Sequence, residues 1–129
     1  MTIAYWCVLA AIVLPYIFSL IAKSSGRYNN FSPREFLEKQ EGYHKRAHWV
    51  QLNSYEAFPA FAAAVIIAHL CAVSQDTINL LALSFIGARI LYGIAYLADK
   101  ATLRSLVWGV GFACVIALFV FSAMAPTQV

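Results

Sequence analysis

The length of its apolar runs most limits what this chain can become. Four stretches, near Ile3–Ala22, Ala47–Val73, Thr77–Leu97 and Leu103–Ala125, are long enough to cross a bilayer, which takes about 20 residues per helix. None alternates apolar and polar residues with a period of two, so helices rather than barrel strands must satisfy the backbone in lipid. Hydrophobic residues make up 62% of the 129 residues and charged ones 12%. A soluble domain runs nearer about half apolar and about a quarter charged. The surplus needs a solvent other than water, so the chain reads as an all-α, multi-pass integral membrane protein of one domain, residues 1–129. The first run lacks a basic leading segment and stays apolar up to Lys23, which marks it as a helix of the mature protein rather than a cleaved signal.

Six of the nine basic residues (Lys23, Arg27, Arg34, Lys39, Lys45 and Arg46) lie between the first two spans, and Lys100 and Arg104 lie between the last two. Basic loops stay in the cytoplasm. The pattern therefore puts both basic loops inside and both termini outside, and a bacterial inner membrane is the setting expected. Topology accounts for the net charge of +3, which leaves no basic patch to suggest nucleic acid. The links "SQD" and "ADKAT" are short, so neighbouring spans run antiparallel in an up-down-up-down four-helix bundle. The long link contains Ser32-Pro33-x-Glu35, a capping box with proline at the first helical position, so a short surface helix is expected there. Glu35, Glu38 and Glu41 read as its solvated face.

Small residues recur every four positions at Ala60, Ala64 and Ala68, and again at Gly109, Ala113 and Ala117. Such stripes allow close helix approach, although alanine is also simply common in membrane helices. Tyr5, Trp6, Tyr43 and Trp49 fit interfacial aromatic belts. Cys7, Cys71 and Cys114 read as packing residues. His44 and His48 lack further ligands, so no metal site is expected. His69 reads as an interface residue, and Pro59 as a point where the second span can kink.

Against this background the stretch "QLNSYEAFPAF" at Gln51–Phe61 is anomalous. Asn53 and Glu56 share a helix face three residues apart, with Gln51 to one side. Glu56 is ten residues beyond Arg46, so roughly 15 Å deep at ~1.5 Å per residue. In the next span Arg89 is eight residues before Leu97, roughly 12 Å from the same edge, with Tyr92 and Tyr96 on its face. An unpaired charge at such depth costs at least about 2.5 kcal/mol, so Glu56 and Arg89 are expected to pair, directly or through a ligand. Two readings stand: a buried pair that fixes helix register, or a polar cavity open to the cytoplasm. Arg104, at the start of the fourth span, can reach above Tyr92 and Tyr96, and the resulting set suits a small zwitterionic or polyanionic ligand.

The pattern Arg46…Gln51-x-Asn53-x-x-Glu56-x-Phe58-Pro59-x-Phe61, then Ala88-Arg89-x-x-Tyr92-x-x-x-Tyr96-Leu97 and Arg104-Ser105, resembles the MAPEG family, the membrane-associated proteins in eicosanoid and glutathione metabolism. The resemblance spans three of the four helices in order. It implies a homotrimer that binds glutathione, as co-substrate, between subunits near the cytoplasmic face. Asn53 and Glu56 would hold glutathione's polar groups, with Gln51 nearby. Arg89 would pair with the glutamate or the ligand, Tyr92 and Tyr96 would line the cleft, and Arg104 would be catalytic, stabilising the thiolate. The implied activity is transfer of glutathione to lipophilic electrophiles or reduction of lipid hydroperoxides. The alternative is a non-catalytic module that binds membrane lipid or a partner protein. Where several family members carry arginine, this chain has Trp49 and Leu52, which would pass one carboxylate clamp to Lys23, Arg27 or Arg46. A small transporter is the least supported class, because no pair of glycine-broken spans is present.

Overall fold

The computed structural model describes residues 1–126. Five helices follow in order: α1 (Ile3–Lys23), α2 (Pro33–Glu38), α3 (Gly42–Leu70), α4 (Gln75–Leu97) and α5 (Ala101–Met124). No strand occurs among the described residues. The four long helices coincide with the four apolar runs, and each is long and apolar enough to cross a membrane. The chain is thus a multi-pass, all-helical membrane bundle. The second span begins earlier than expected, at Gly42, because its basic first turns remain helical beyond the apolar stretch.

Helix α1 packs on α3 and α4, and α5 lies mainly against α4. The core has two apolar layers across the spans, and a third cluster of Ala22, Leu37 and Ala47 joins α2 to the bundle. The larger contains Ala4, Cys7, Ala11, Phe61, Ala64, Val65, Ala68, Phe85, Val115 and Leu118. Within it the Phe61 and Phe85 rings stack at 3.9 Å. The smaller layer, toward the basic loops, is Phe18, Val50 and Tyr92. Ser54 and Arg89 are buried between the two layers. The small-residue stripes fare unequally. Ala64 and Ala68 are fully buried, whereas Gly109, Ala113 and Ala117 are not; the packing face of α5 is Gly111, Cys114, Val115, Leu118 and Ser122.

At the end away from the basic loops, polar side chains tie α1, α3 and α4 together. His69 Nδ1 lies 2.7 Å from the Val65 carbonyl, which can only accept, so this nitrogen carries hydrogen. Nε2 then accepts from the Thr2 hydroxyl at 2.9 Å, and Tyr5 stacks on the ring at 4.0 Å. Asn79 Oδ1 accepts from the Ala4 amide and from Gln75. His69, in the last turn of α3, ties helices together at the end of the span where an interface residue is expected.

Helix α2 forms where the capping box lies, but the cap bond is not made. The Ser32 hydroxyl instead accepts from Asn29 Nδ2 at 3.0 Å, which turns it away from the helix. Glu35 and Lys39 pair at 2.7 Å on the exposed face. The hydrogen bond from Lys39 holds the Glu35 carboxyl below its ordinary range. That small stabilisation is present at neutral pH and is lost as pH falls through the lowered value. Helix α3 runs through Pro59 without interruption.

One close approach depends on glycine. A Cβ at Gly93 would stand 2.0 Å from the Phe18 ring, with two further ring atoms within 2.8 Å. Phe18 is itself buried. Gly93→Ala is therefore expected to destabilise the bundle by about 1–3 kcal/mol through overpacking. Gly87→Ala, where nothing lies within 4 Å, is expected to change stability by less than about 0.5 kcal/mol. Thermal unfolding in detergent compares the two, and equal midpoints would refute the close α1–α4 contact.

Candidate functional site

The site grows from one buried cation. Arg89 projects from α4 at the level where the two apolar layers meet and is only 4% exposed. A guanidinium there must find acceptors within the bundle, and α3 supplies them. Arg89 Nη1 donates to Asn53 Oδ1 at 2.8 Å. Nη2 donates to the Ser54 hydroxyl at 3.4 Å, and that hydroxyl donates to the Val50 carbonyl at 2.8 Å. The guanidinium also lies over the Tyr92 ring, 4.3 Å from its centre.

Of the two ways in which Glu56 and Arg89 were expected to pair, directly or through a ligand, the direct contact is not present: the only ion pair among the described residues is Glu35–Lys39. Asn53 stands between the two. It receives Arg89 on its oxygen and donates from Nδ2 to Glu56 Oε2 at 3.1 Å. A long guanidinium from α4 and a carboxylate on the outer side of α3 bracket the shorter amide, which can serve both at once. Glu56 is exposed on the flank of the bundle.

A ladder of contacts continues toward the basic end. Tyr92 and Tyr96 meet edge to face at 5.6 Å. The Arg104 guanidinium lies 4.4 Å over the Tyr96 ring, and Trp49 leans on Tyr96 at 6.1 Å. Arg46 donates to the Leu97 carbonyl at 3.1 Å and so caps the end of α4. Gln51 stands apart. It is buried, bonded to His48 at 3.3 Å and Tyr55 at 3.2 Å, and lines neither groove beside Glu56.

Two grooves meet at Asn53 and Glu56. One, of about 340 Å³, is walled by Trp49, Leu52, Tyr92 and Tyr96. The other, of about 180 Å³, runs between α3, α4 and α5 along Ala57, Ala60, Phe85, Trp108 and Phe112. The structure thus brings together Asn53, Glu56, Arg89, Tyr92, Tyr96 and Arg104, and separates Gln51 from them. Sequence reasoning missed Ser54, which braces Arg89, and assigned Trp49 only to an aromatic belt. It also missed Trp108 and Phe112, although both follow Arg104 on one helix face at steps of four.

The site sets Asn53, Glu56 and Arg89 along the apolar groove and adds the Tyr92 and Tyr96 phenols in the adjoining one, with the Arg104 guanidinium over Tyr96. It can therefore hold a ligand with charges of both signs next to an apolar one. Against known protein families, the model described as MAPEG family matches residues 3–124 of the chain. No curated protein matches it.

If Asn53 is the joint, the Asn53–Arg89 pair should couple strongly. Asn53→Leu alone strands a buried guanidinium and is expected to cost about 3–5 kcal/mol, while Arg89→Met relieves much of that loss in the double variant. The corresponding coupling of Glu56→Gln with Arg89→Met should be smaller, because Asn53 separates those groups. Unfolding midpoints of the two variant cycles provide the comparison, and a larger Glu56–Arg89 coupling would overturn the bridge.

Proposed function

Because the chain belongs to the MAPEG family, we propose that it is a membrane-bound glutathione-dependent transferase or peroxidase acting on lipophilic electrophiles. The observation that carries the reading is the ladder from Arg104 through Tyr96, Tyr92, Arg89 and Asn53 to Glu56, set beside an apolar groove. The polar groove's volume of about 340 Å³ lies in the ~300–1,000 Å³ range of small-molecule sites. Glu56 lines it and the Arg104 guanidinium lies over the Tyr96 ring of its wall, so charges of both signs are at hand for a zwitterionic peptide.

In this reading Asn53 and Glu56 take the polar groups of glutathione, and Tyr92 and Tyr96 form the wall. Arg89, held by Asn53, Ser54 and Tyr92, positions Asn53 rather than reaching for the ligand. Gln51 is left out of the ligand set. Arg104 stands by the sulfur. A cation near a thiol favours the thiolate, which supplies the nucleophile at neutral pH. The electrophile arrives from the bilayer through the groove of Phe85, Trp108 and Phe112. Because Glu56 lies on the outer flank of a single chain, a neighbouring copy in a homotrimer would shield it from acyl chains. The basic loops face the cytoplasm, where glutathione is abundant.

The alternative, a non-catalytic module, draws on one observation: Arg89 finds two acceptors, Asn53 and Ser54, within the chain. Calorimetry on purified protein separates the readings. Glutathione is expected to bind, and Arg104→Ala is expected to cut the ultraviolet thiolate signal at neutral pH about tenfold or more while leaving assembly intact. No detectable binding at millimolar glutathione would leave the non-catalytic reading standing.

A further inference from the structure

The net charge of the chain is concentrated in one short stretch. Residues 23–46 hold six basic residues against three glutamates, which is the whole net charge of +3; the other three basic and three acidic residues cancel. Four of the six cations are engaged within the chain. Lys23 lies 4.6 Å over the Tyr28 ring, Lys39 pairs with Glu35, Lys45 donates to the Glu38 carbonyl and Arg46 caps α4. Arg27 and Arg34 are exposed, and no carboxylate lies within 4 Å of either among the described residues.

Between these two arginines stands Phe31, fully exposed. Its amide donates to Asn29 Oδ1 at 3.0 Å, and the neighbouring Tyr28 meets Phe36 of α2 edge to face at 5.3 Å. Helix α2 is fixed in depth. Leu37 is buried with Ala22 and Ala47, and Phe36 and Leu97 pack beside them. Ala22, Ala47 and Leu97 each end an apolar run, so α2 and the turn before it lie level with the edge of the hydrocarbon. At that level an apolar ring leaves water by entering the bilayer, and lipid phosphates are close by. An open groove of about 430 Å³ beside Arg27 leaves room for a headgroup; its charged lining is Arg27, Lys39 and Glu41, with His44.

We propose that residues 27–34 form a finger that binds anionic phospholipid, with Arg27 and Arg34 on the phosphates and Phe31 among the upper methylenes of the acyl chains. A guanidinium matches phosphate by paired hydrogen bonds. Basic residues at a membrane face favour anionic over zwitterionic lipid. A soluble acidic partner would satisfy the arginines too, but it would have to displace headgroups already packed at this level, and it offers Phe31 no hydrocarbon. The inference is independent of the glutathione reading, since none of these residues lines the grooves beside Glu56.

The test uses full-length protein in detergent micelles with equal amounts of phosphatidylglycerol and phosphatidylcholine bearing the same chains. Native mass spectrometry counts the lipids retained. Phosphatidylglycerol is expected to exceed phosphatidylcholine at least about threefold. The double variant Arg27→Gln/Arg34→Gln should bring the ratio close to one, whereas Lys100→Gln, exposed on the other basic loop, should leave it nearly unchanged. Phe31→Ser, which keeps every charge, should lower the retained phosphatidylglycerol about twofold, and Phe31→Leu should restore it. Unfolding midpoints establish that the variants are folded. Glycerol phosphate, the anionic group without chains, should displace no lipid when added at the lipid's concentration. Equal retention of the two lipids, a preference that ignores Arg27 and Arg34, or a loss per charge as large for Lys100→Gln would overturn the proposal. So would indifference to Phe31→Ser, or displacement by glycerol phosphate, which would make the arginines a site for a soluble anion.

Discussion

Everything in this bundle is arranged around one guanidinium that is almost wholly buried. Arg89 lies between two apolar layers, where the bilayer offers no acceptor. Asn53 and Ser54 on α3 satisfy it, the Tyr92 ring covers it, and Glu56 balances it at one remove. The consequence is geometric. Helices α3 and α4 are fixed in register at the depth where the grooves open, so Asn53 and Glu56 are presented at a set level. Close packing does the same work nearer the basic loops, where Gly93 lets Phe18 sit against α4.

The two grooves divide the labour by chemistry. The one toward the basic loops has aromatic and polar walls, with Arg104 poised over Tyr96 at its rim. The one toward the membrane interior is lined mostly by alanine and aromatic rings, with Arg89 on its wall beside Asn53 and Glu56. They touch only at Asn53 and Glu56, so a water-soluble partner and a lipid-soluble one would meet at a single carboxylate. Binding energy from the apolar side can then serve to hold a reacting group near the polar one. The MAPEG match over residues 3–124 is consistent with such a division but does not fix the chemistry.

Much of the fold was legible in the sequence, because uninterrupted apolar runs of about 20 residues admit few solutions. The shared depth of Glu56 and Arg89 was also legible, since helix rise converts residue counts into ångströms. Whether the two meet directly or through an intermediary was not. Counting places backbones, whereas the choice between Glu56 and Asn53 as the partner of Arg89 depends on side-chain reach and azimuth. The capping box failed for a similar reason: Asn29 competes for the Ser32 hydroxyl, and no pattern of S-x-x-E reports a rival three residues upstream. Gln51 was grouped with Asn53 by proximity, yet it faces His48 and Tyr55. Trp108 and Phe112 were readable as a stripe continuing from Arg104, but aromatic residues are so common in this chain that the stripe did not stand out.

The central claim is that Asn53, not Glu56, receives the buried guanidinium. Solid-state NMR on protein in lipid, with arginine guanidinium nitrogens and the asparagine and glutamate side-chain carbons labelled, measures this directly. The account predicts strong dipolar transfer between Arg89 Nη1 and Asn53 Cγ, as the 2.8 Å contact from that nitrogen to Oδ1 requires, and weak transfer to the Glu56 carboxyl carbon. Strong transfer from Arg89 to Glu56, with none to Asn53, would contradict it.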